Sequence, residues 1–253
     1  MVYHGIIVVV ANWQSEAVIA GLIGSTAYGL YRAVTHPEST LFGTAVHRGP
    51  EGKRQVALTF DDGPDPTWTL QVASVLRRFA IPGTFFCIGR EAERRPDIVR
   101  ALRDEGHEVG NHSYSHGNLW FRSPAQVRVE IQRCQAALTD ILGIPPGVFR
   151  PPFGDRGPQV LNEARKLNLE TVLWSLDSKD WRPRASAERL SDRVRRQVHA
   201  GAILLFHDGS HDGRASDRSS TIAAIAALVP WLRGEGYGFV TASAMMIGAA
   251  DNR

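Results

Sequence analysis

The sequence contains very little cysteine: two residues in 253, Cys87 and Cys134, which lie far apart and outside any C-x-x-C pattern. Cys87 ends an apolar run, and Cys134 falls in the apolar stripe of a predicted helix, so both are predicted to be buried free thiols. A disulfide between them stays open at this stage. The two cysteines therefore do not indicate the compartment in which the protein works.

Runs of basic residues are also absent. The net charge is only +3 at pH 7, although the pI is near 9.1. Because binding to nucleic acid requires a basic stripe or cluster, no nucleic-acid partner is predicted, and the arginines are interpreted as ordinary solvated surface. The sequence has no internal repeat and no low-complexity segment. Its length suits one large domain or two small ones, and single α/β barrels routinely reach this size.

The N-terminal part of the chain has almost no charge. Between residues 5 and 31 the only charged side chain is Glu16, and Arg32 follows. A membrane-spanning helix needs about 20 apolar residues, so this stretch is marginal as a span. Three interpretations stay open: a membrane anchor or uncleaved signal sequence, a cleaved signal peptide, and a helix packed on the domain. The cleaved peptide is the least favoured, because no Lys or Arg precedes the apolar stretch.

We expect two parts in the chain. Residues 1–50 form an N-terminal segment, residues 51–253 form the folded domain, and Gly-Pro-Glu-Gly at 49–52 is the linker into the domain. Association with a membrane through residues 5–31 places the domain in the cell envelope, which is the favoured location. A helix packed on the domain leaves a cytoplasmic location open.

From Arg54 onward, short apolar or β-branched runs alternate with amphipathic segments. The predicted strands cover 55–60, 83–88, 108–111, 148–150, 171–176, 202–206 and 238–241. The predicted helices cover 68–79, 97–105, 124–142, 158–167, 187–199 and 221–234. Ser123 and Gln126 supply a capping box for the helix at 124–142. This alternation predicts a parallel α/β sheet, either closed as a barrel or open and doubly wound.

Polar side chains that could take part in catalysis or bind a metal ion fall where the predicted strands end. In α/β folds, the functional residues lie at these ends. If the sheet is parallel, residues spread over about 150 positions converge on one rim. They are Asp61, Asp62, His112, His116, Arg150, Asp177, Asp180, Trp181, His207 and Asp208.

Two adjacent aspartates after an apolar strand require a compensating charge, because like charges this close resist joint ionisation. His112 and His116 have an i, i+4 spacing, which would place both imidazoles on one side of a helical turn, as around Zn²⁺. With Asp62 as third ligand, a cation would neutralise one carboxylate and leave Asp61 free to take a proton from water. The alternatives are a plain Asp-Gly-Pro turn and two unrelated loop histidines.

Two further strand ends supply partners for this chemistry. Arg150 is expected to hold Asp61 through a bidentate pair, the alternative being an ordinary surface arginine. His207 is a candidate general acid because imidazole titrates near neutrality, and Asp180 would tune its pKa. His211, in a loop rich in Gly, Ser and Asp, is expected to face water, the alternative being contact with the substrate.

Five ordered motifs resemble those of the polysaccharide deacetylases, the NodB homology domains of carbohydrate esterase family 4. They are TFDDGP at 59–64, His112-x-x-x-His116, RPPFG at 150–154, Asp177-x-x-Asp180-Trp181 and Leu205-x-His207. Each motif alone is weak or moderate evidence, whereas all five in order at predicted strand ends are strong evidence. The resemblance covers about residues 54–244.

The resemblance implies a deformed (β/α) barrel of seven to eight repeats, not all of them complete, preceded by the N-terminal apolar segment. It implies one divalent metal ion, most often Zn²⁺ with Co²⁺ or Mn²⁺ open, bound by Asp62, His112 and His116. The other implied roles are catalytic base for Asp61, general acid for His207, orienting partners for Arg150 and Asp180, acetyl-pocket walls for Trp181 and Leu205, and oxyanion donor for the Phe153 backbone N–H.

The implied function is hydrolysis of N-acetyl groups on an amino-sugar polymer or glycoconjugate such as chitin or peptidoglycan, with release of acetate. This makes the chain a hydrolase of linear, non-peptide C–N bonds whose partner is an N-acetylated glycan. Two alternatives stay open: hydrolysis of another amide at the same site, and a non-catalytic glycan-binding module. The motifs do not distinguish one glycan from another.

Overall fold

A computed structural model describes residues 13–35, 37–211 and 217–250. Within these ranges, one sheet of eight parallel strands has the order β5-β4-β3-β2-β1-β7-β6, with β8 pairing the start of β1. The strands are β1 (Gln55–Asp61), β2 (Thr84–Cys87), β3 (Glu108–Asn111), β4 (Val148–Phe149), β5 (Glu170–Thr171), β6 (Leu176–Asp177), β7 (Ala202–His207) and β8 (Gly238–Phe239). Six of the seven residues of β1 are buried, as expected for a central strand covered on both faces.

Helices connect the strands and surround the sheet. They are α1 (Trp13–Thr35), α2 (Trp68–Arg78), α3 (Gly89–Arg94), α4 (Pro96–Asp104), α5 (Pro124–Leu142), α6 (Pro158–Lys166), α7 (Ala187–Gln197), α8 (Ser219–Gly234) and α9 (Ala242–Ala250), with one 3₁₀ turn at Pro152–Gly154. The predicted capping box of α5 is present: the Ser123 side chain accepts from the Gln126 backbone N–H, and the Gln126 side chain accepts from that of Ser123. The parallel half-barrel with its surrounding helices confirms the predicted deformed (β/α) barrel.

The single strand predicted at 171–176 is wrong: the structure has two short strands, β5 and β6, at opposite edges of the sheet. The reason is the buried Arg150 side chain, which donates to the carbonyls of Val172 at 3.1 Å and Leu173 at 2.8 Å. These carbonyls bond to a side chain rather than to a neighbouring strand, and the regular ladder is interrupted between β5 and β6. The chain before β1 fills part of the gap, with Val46 pairing Val172 and Arg48 pairing Ala202.

The core is built around the aromatic residues of the central strands. The ring of Phe60 stacks on that of Phe85 at 4.8 Å and lies 6.1 Å from that of Phe206. Cys87 and Cys134 are both buried and free, which confirms the prediction for them. Burial raises the pKa of the Cys134 thiol to about 12, so this thiol is inert as a nucleophile.

The α1 helix exposes large apolar side chains: Val18, Ile19, Leu22 and Ile23 are each more than half exposed. Among the helices of the described ranges, none is both long enough and apolar enough to cross a bilayer. The first part of the predicted apolar segment, residues 5–12, lies outside the described residues.

Candidate metal-binding and catalytic site

The carboxyl ends of the central strands bring the predicted residues to one rim. Asp61, at the end of β1, is in register with Phe86 of β2 on one side and with His207 of β7 on the other. The next residue, Asp62, has a φ of 75°, a left-handed conformation that aspartate tolerates better than most residues. The backbone therefore leaves the strand at Asp62, which faces the histidines.

Three predicted metal ligands lie together and are buried. One ligand atom from each of Asp62, His112 and His116 can be chosen so that all three lie within 4.8 Å of one another. Asp62 Oδ1 is 3.1 Å from His116 Nε2 and 3.6 Å from His112 Nε2. A carboxylate oxygen and two imidazole nitrogens at this spacing are a ligand set that suits a divalent cation such as zinc.

The hydrogen bonds around these side chains leave them in the states that bind metal. His112 Nδ1 lies 2.7 Å from the Arg150 carbonyl, which can only accept, so this nitrogen carries the proton and Nε2 keeps its lone pair toward Asp62. Burial raises the pKa of Asp62, but the neighbouring imidazoles of His112, His116 and His211 outweigh it and hold that pKa well below its usual range. Burial lowers the pKa of His116. A divalent cation binds an ionised carboxylate and unprotonated imidazole nitrogens.

The i, i+4 histidines do not lie on a helical turn, as the spacing had suggested. Residues 112–116 form a loop in which Ser113 and His116 both have left-handed φ angles, 61° and 57°. The loop is held by side chains rather than by helical hydrogen bonds. Glu130 of α5 accepts from both the backbone N–H and the hydroxyl of Ser115 at 2.8 Å, and the Asn111 carboxamide accepts from Ser113 N.

Arg150 contacts Asp61 as predicted, but not through a bidentate pair. A single nitrogen, Nη1, donates to Asp61 Oδ1 at 2.8 Å and to Thr59 Oγ1 at 2.8 Å. The other two nitrogens are occupied by the Val172 and Leu173 carbonyls, so no second bond to Asp61 forms. Asp61 Oδ2 stays available and lies 3.8 Å from His112 Nε2, beside the candidate metal ligands.

His207 and Asp180 form a pair at the same rim, in which Asp180 is buried and His207 is partly buried. Asp180 Oδ1 accepts from His207 Nδ1 at 2.7 Å, and Asp180 Oδ2 accepts from the His207 backbone N–H at 2.8 Å and from Thr221 Oγ1 at 3.0 Å. Burial lowers the pKa of His207, but the Asp180 charge and hydrogen bond, helped by Asp62 and Asp61, outweigh this and raise it to about 9. His207 is therefore a protonated imidazolium at neutral pH, as a proton donor must be.

These groups open into a cavity of about 1280 Å³. Trp181 is half exposed at its wall, and Leu205 lines it while remaining almost fully buried. Phe153, in the 3₁₀ turn, has a φ of 60° and places its ring edge against His116 at 4.8 Å. The predicted wall residues thus lie beside the charged groups, which gives the site an apolar side and a polar side.

Two residues at the site, His211 and Asp208, were given no role from the sequence, although Asp208 was placed at the rim. His211, expected to face water, lies with Nδ1 3.2 Å from Asp62 Oδ2 and stacks on His116. Asp208 is buried next to Thr69, and burial raises its pKa to about 7. Their loop passes close to Asp62 because Gly209 has no side chain: a Cβ there would lie 2.3 Å from the Asp62 carbonyl oxygen. The sequence showed a glycine-rich loop but not where it packs.

Known proteins share this arrangement of elements. Residues 48–172 match the family model described as polysaccharide deacetylase. A peptidoglycan-N-acetylglucosamine deacetylase of Bacillus cereus is 36% identical over 208 residues, 78% of this chain and 90% of the relative. A chitooligosaccharide deacetylase of a Bradyrhizobium species is 36% identical over 193 residues, 74% and 88% of the two chains. The crystal structure of a peptidoglycan N-acetylglucosamine deacetylase with a naphthyl-substituted N-hydroxybenzamide has a TM-score of 0.75 at 33% identity, covering 80% of this chain and 92% of that one.

Proposed function

The chain belongs to the polysaccharide deacetylase family, whose members hydrolyse C–N amide bonds, and we propose that it removes acetyl groups from N-acetylglucosamine residues of a glycan. Two relatives support this substrate, since one is named for peptidoglycan N-acetylglucosamine and the other for chitooligosaccharide. The observation that carries the proposal is the clustering of Asp62, His112 and His116 beside an Arg150-bound Asp61.

Asp62, His112 and His116 would hold the divalent metal on which this family depends. Their buried oxygen and nitrogen atoms suit Zn²⁺ best among the common ions, with Co²⁺ and Mn²⁺ as alternatives. A cation held there supplies a Lewis acid that polarises the acetamide carbonyl and makes a nearby water more acidic.

The other side chains of the site divide the proton transfers between them. Asp61 takes the proton from the attacking water through Oδ2, while Arg150 holds Oδ1 and keeps the carboxylate oriented. His207, charged because of Asp180, gives a proton to the departing amine nitrogen. Acetate and a free amino sugar result.

The remaining predicted residues shape the pocket around the acetyl group. Trp181 and Leu205 provide the apolar wall for its methyl group, and both line the cavity. The backbone N–H of Phe153 is proposed as the donor to the developing oxyanion. In its left-handed conformation this residue lies at the cavity, beside His116.

The test is acetate release from a panel of chitooligosaccharides and peptidoglycan fragments, with the metal removed by a chelator and then restored. We expect activity to disappear and return with the metal. In the variant Asp61→Asn, metal binding should persist while turnover falls about 100-fold or more, because general base catalysis typically contributes 10²–10⁴. Undiminished turnover in Asp61→Asn contradicts the base role. The exposed Asp192→Asn is the control.

The two alternatives give different results in the same assay. Acetate release from none of the glycans, with activity on small cyclic amides, favours a different amide substrate. Glycan binding without any hydrolysis favours a binding module. The complete set of Asp61, His207 and their partners supports catalysis over binding alone.

We also propose a place of action and a domain division. Relatives named for cell-wall peptidoglycan support action in the cell envelope. The exposed apolar side chains of α1 favour contact of residues 13–31 with a membrane surface, with residues 51–253 as the catalytic domain. Partition of the full chain and of a chain lacking residues 1–35 between vesicles and buffer tests this: equal partition contradicts it.

A further inference from the structure

His211 contacts two of the three proposed metal ligands. Its Nδ1 lies 3.2 Å from Asp62 Oδ2, and its ring stacks on that of His116 with centroids 4.3 Å apart and an interplanar angle of 24°. The ring of Phe153 meets both imidazoles edge-on, at 4.8 Å from His116 and 5.5 Å from His211. His211 is thus packed into the ligand cluster on more than one side.

The backbone around His211 is itself held in place. Arg90 of α3 donates through Nη2 to the His211 carbonyl at 2.7 Å. Two residues earlier, the Gly209 carbonyl accepts from Arg218 Nε at 3.1 Å and from Nη2 at 2.6 Å. Arg218 is buried, and Gly209 lies against the Asp62 backbone so closely that a Cβ would not fit. The contact between His211 and Asp62 therefore follows from the packing of the loop.

The two oxygens of Asp62 have different neighbours. Oδ1 is the atom near His112 Nε2 and His116 Nε2, at 3.6 and 3.1 Å, whereas Oδ2 faces His211 Nδ1. A carboxylate that ligates a metal keeps its orientation when a hydrogen-bond donor holds its other oxygen. Without that donor, the Asp62 carboxylate can rotate about the Cβ–Cγ bond. Metal binding must then fix this rotation, and the lost conformational entropy lowers the affinity for the metal.

We propose that His211 is a positioning residue for the metal ligand Asp62: its Nδ1–H holds Oδ2 so that Oδ1 is presented to the cation. This inference rests on the proposed metal site and adds a residue to it. Hydrogen-bond partners of metal ligands typically contribute about 10- to 100-fold in metal affinity. His211 does not transfer protons in this role, so its effect is on metal binding first and on turnover only through it.

The test measures metal affinity directly, by competition of Zn²⁺ between the full chain and a chromogenic chelator. In His211→Phe, which keeps an aromatic ring for the stack but has no donor, we expect affinity to fall about 10- to 100-fold, and in His211→Ala at least as much. His211→Asn places an amide N–H near the position of Nδ1 and should recover most of the affinity. His199→Ala, at the opposite end of β7, is the matched control and should bind like the unmodified chain.

The outcomes separate this inference from the proposed function. If the unmodified chain fails to bind one equivalent of Zn²⁺ or Co²⁺, the metal site itself is wrong. If it binds, and His211→Phe and His211→Ala bind equally well, only the role of His211 is wrong. With Co²⁺ bound, the visible absorption bands should keep their position in His211→Asn. A change in these bands shows that His211 is itself a ligand and overturns the positioning role. Thermal melting without metal checks that each variant is folded.

Discussion

Replacing Arg150 by methionine should strongly destabilise the protein. The guanidinium is fully buried and donates to four acceptors: Asp61 Oδ1, Thr59 Oγ1 and the carbonyls of Val172 and Leu173. Methionine keeps an unbranched side chain that can pack on Phe86, whose ring lies 4.1 Å from the guanidinium carbon. It offers no donor, so the change isolates the polar contribution.

The expected loss follows from these contacts. Removing one partner of a buried ion pair costs about 3–5 kcal/mol, because the remaining charge has neither water nor a counter-ion. Each of the other acceptors adds about 1 kcal/mol when its donor is lost, unless water enters. We therefore expect the free energy of unfolding to fall by about 6–8 kcal/mol, and by less if water reaches the acceptors. Since a typical domain has 5–15 kcal/mol of stability, the variant should be marginally stable.

The assay is urea unfolding in the presence of a chelator, with Arg150→Met, Asp61→Asn and the double variant compared. In the double variant the buried charge is gone, so part of the loss should return, with a coupling energy of about 2 kcal/mol, within the range for residues in contact. Arg100→Met, at an exposed position of α4, is the control and should stay within about 0.5 kcal/mol of the unmodified chain. A loss below about 1 kcal/mol in Arg150→Met, or strictly additive single changes, would refute this account of Arg150.

Two further changes test the parts of the site that hold its acid and its histidine loop. Asp180→Asn removes the charge that raises the pKa of His207, so the alkaline limb of the kcat–pH profile should move from near 9 to lower pH; an unmoved limb contradicts the pairing. Glu130→Gln weakens the two hydrogen bonds from Ser115, so metal affinity should fall severalfold and the free energy of unfolding by about 1–3 kcal/mol; equality with the exposed control Glu235→Gln in both measurements contradicts this.

Local patterns were sufficient to predict most elements of the fold. The helix 124–142 is bounded in the sequence as in the structure, because its capping box and the following glycine act within a few residues. The strands at 55–60 and 108–111 were likewise evident, since buried parallel strands appear as apolar or β-branched runs. Their errors are confined to one residue at an end.

The sequence also determined which side chains meet at the rim. In a parallel sheet every strand presents its carboxyl end to the same side, so Asp61, His112 and His207 had to come together once the strands were assigned. This inference depends only on where the strands end and not on the conformation of the loops. For this reason the candidate ligands and the acid–base residues could be named without coordinates.

Only the tertiary structure decided the contacts that arise between distant loops. His211 lies against Asp62 across 149 positions, and nothing in the intervening sequence marks that approach. The contacts of Arg150 with the Val172 and Leu173 carbonyls were equally absent from the sequence pattern. They lie between β5 and β6, where a single strand had been predicted. Helices and strands are predicted from periodic patterns of neighbouring residues. The conformation of a loop depends instead on hydrogen bonds and packing with residues that are distant in the sequence.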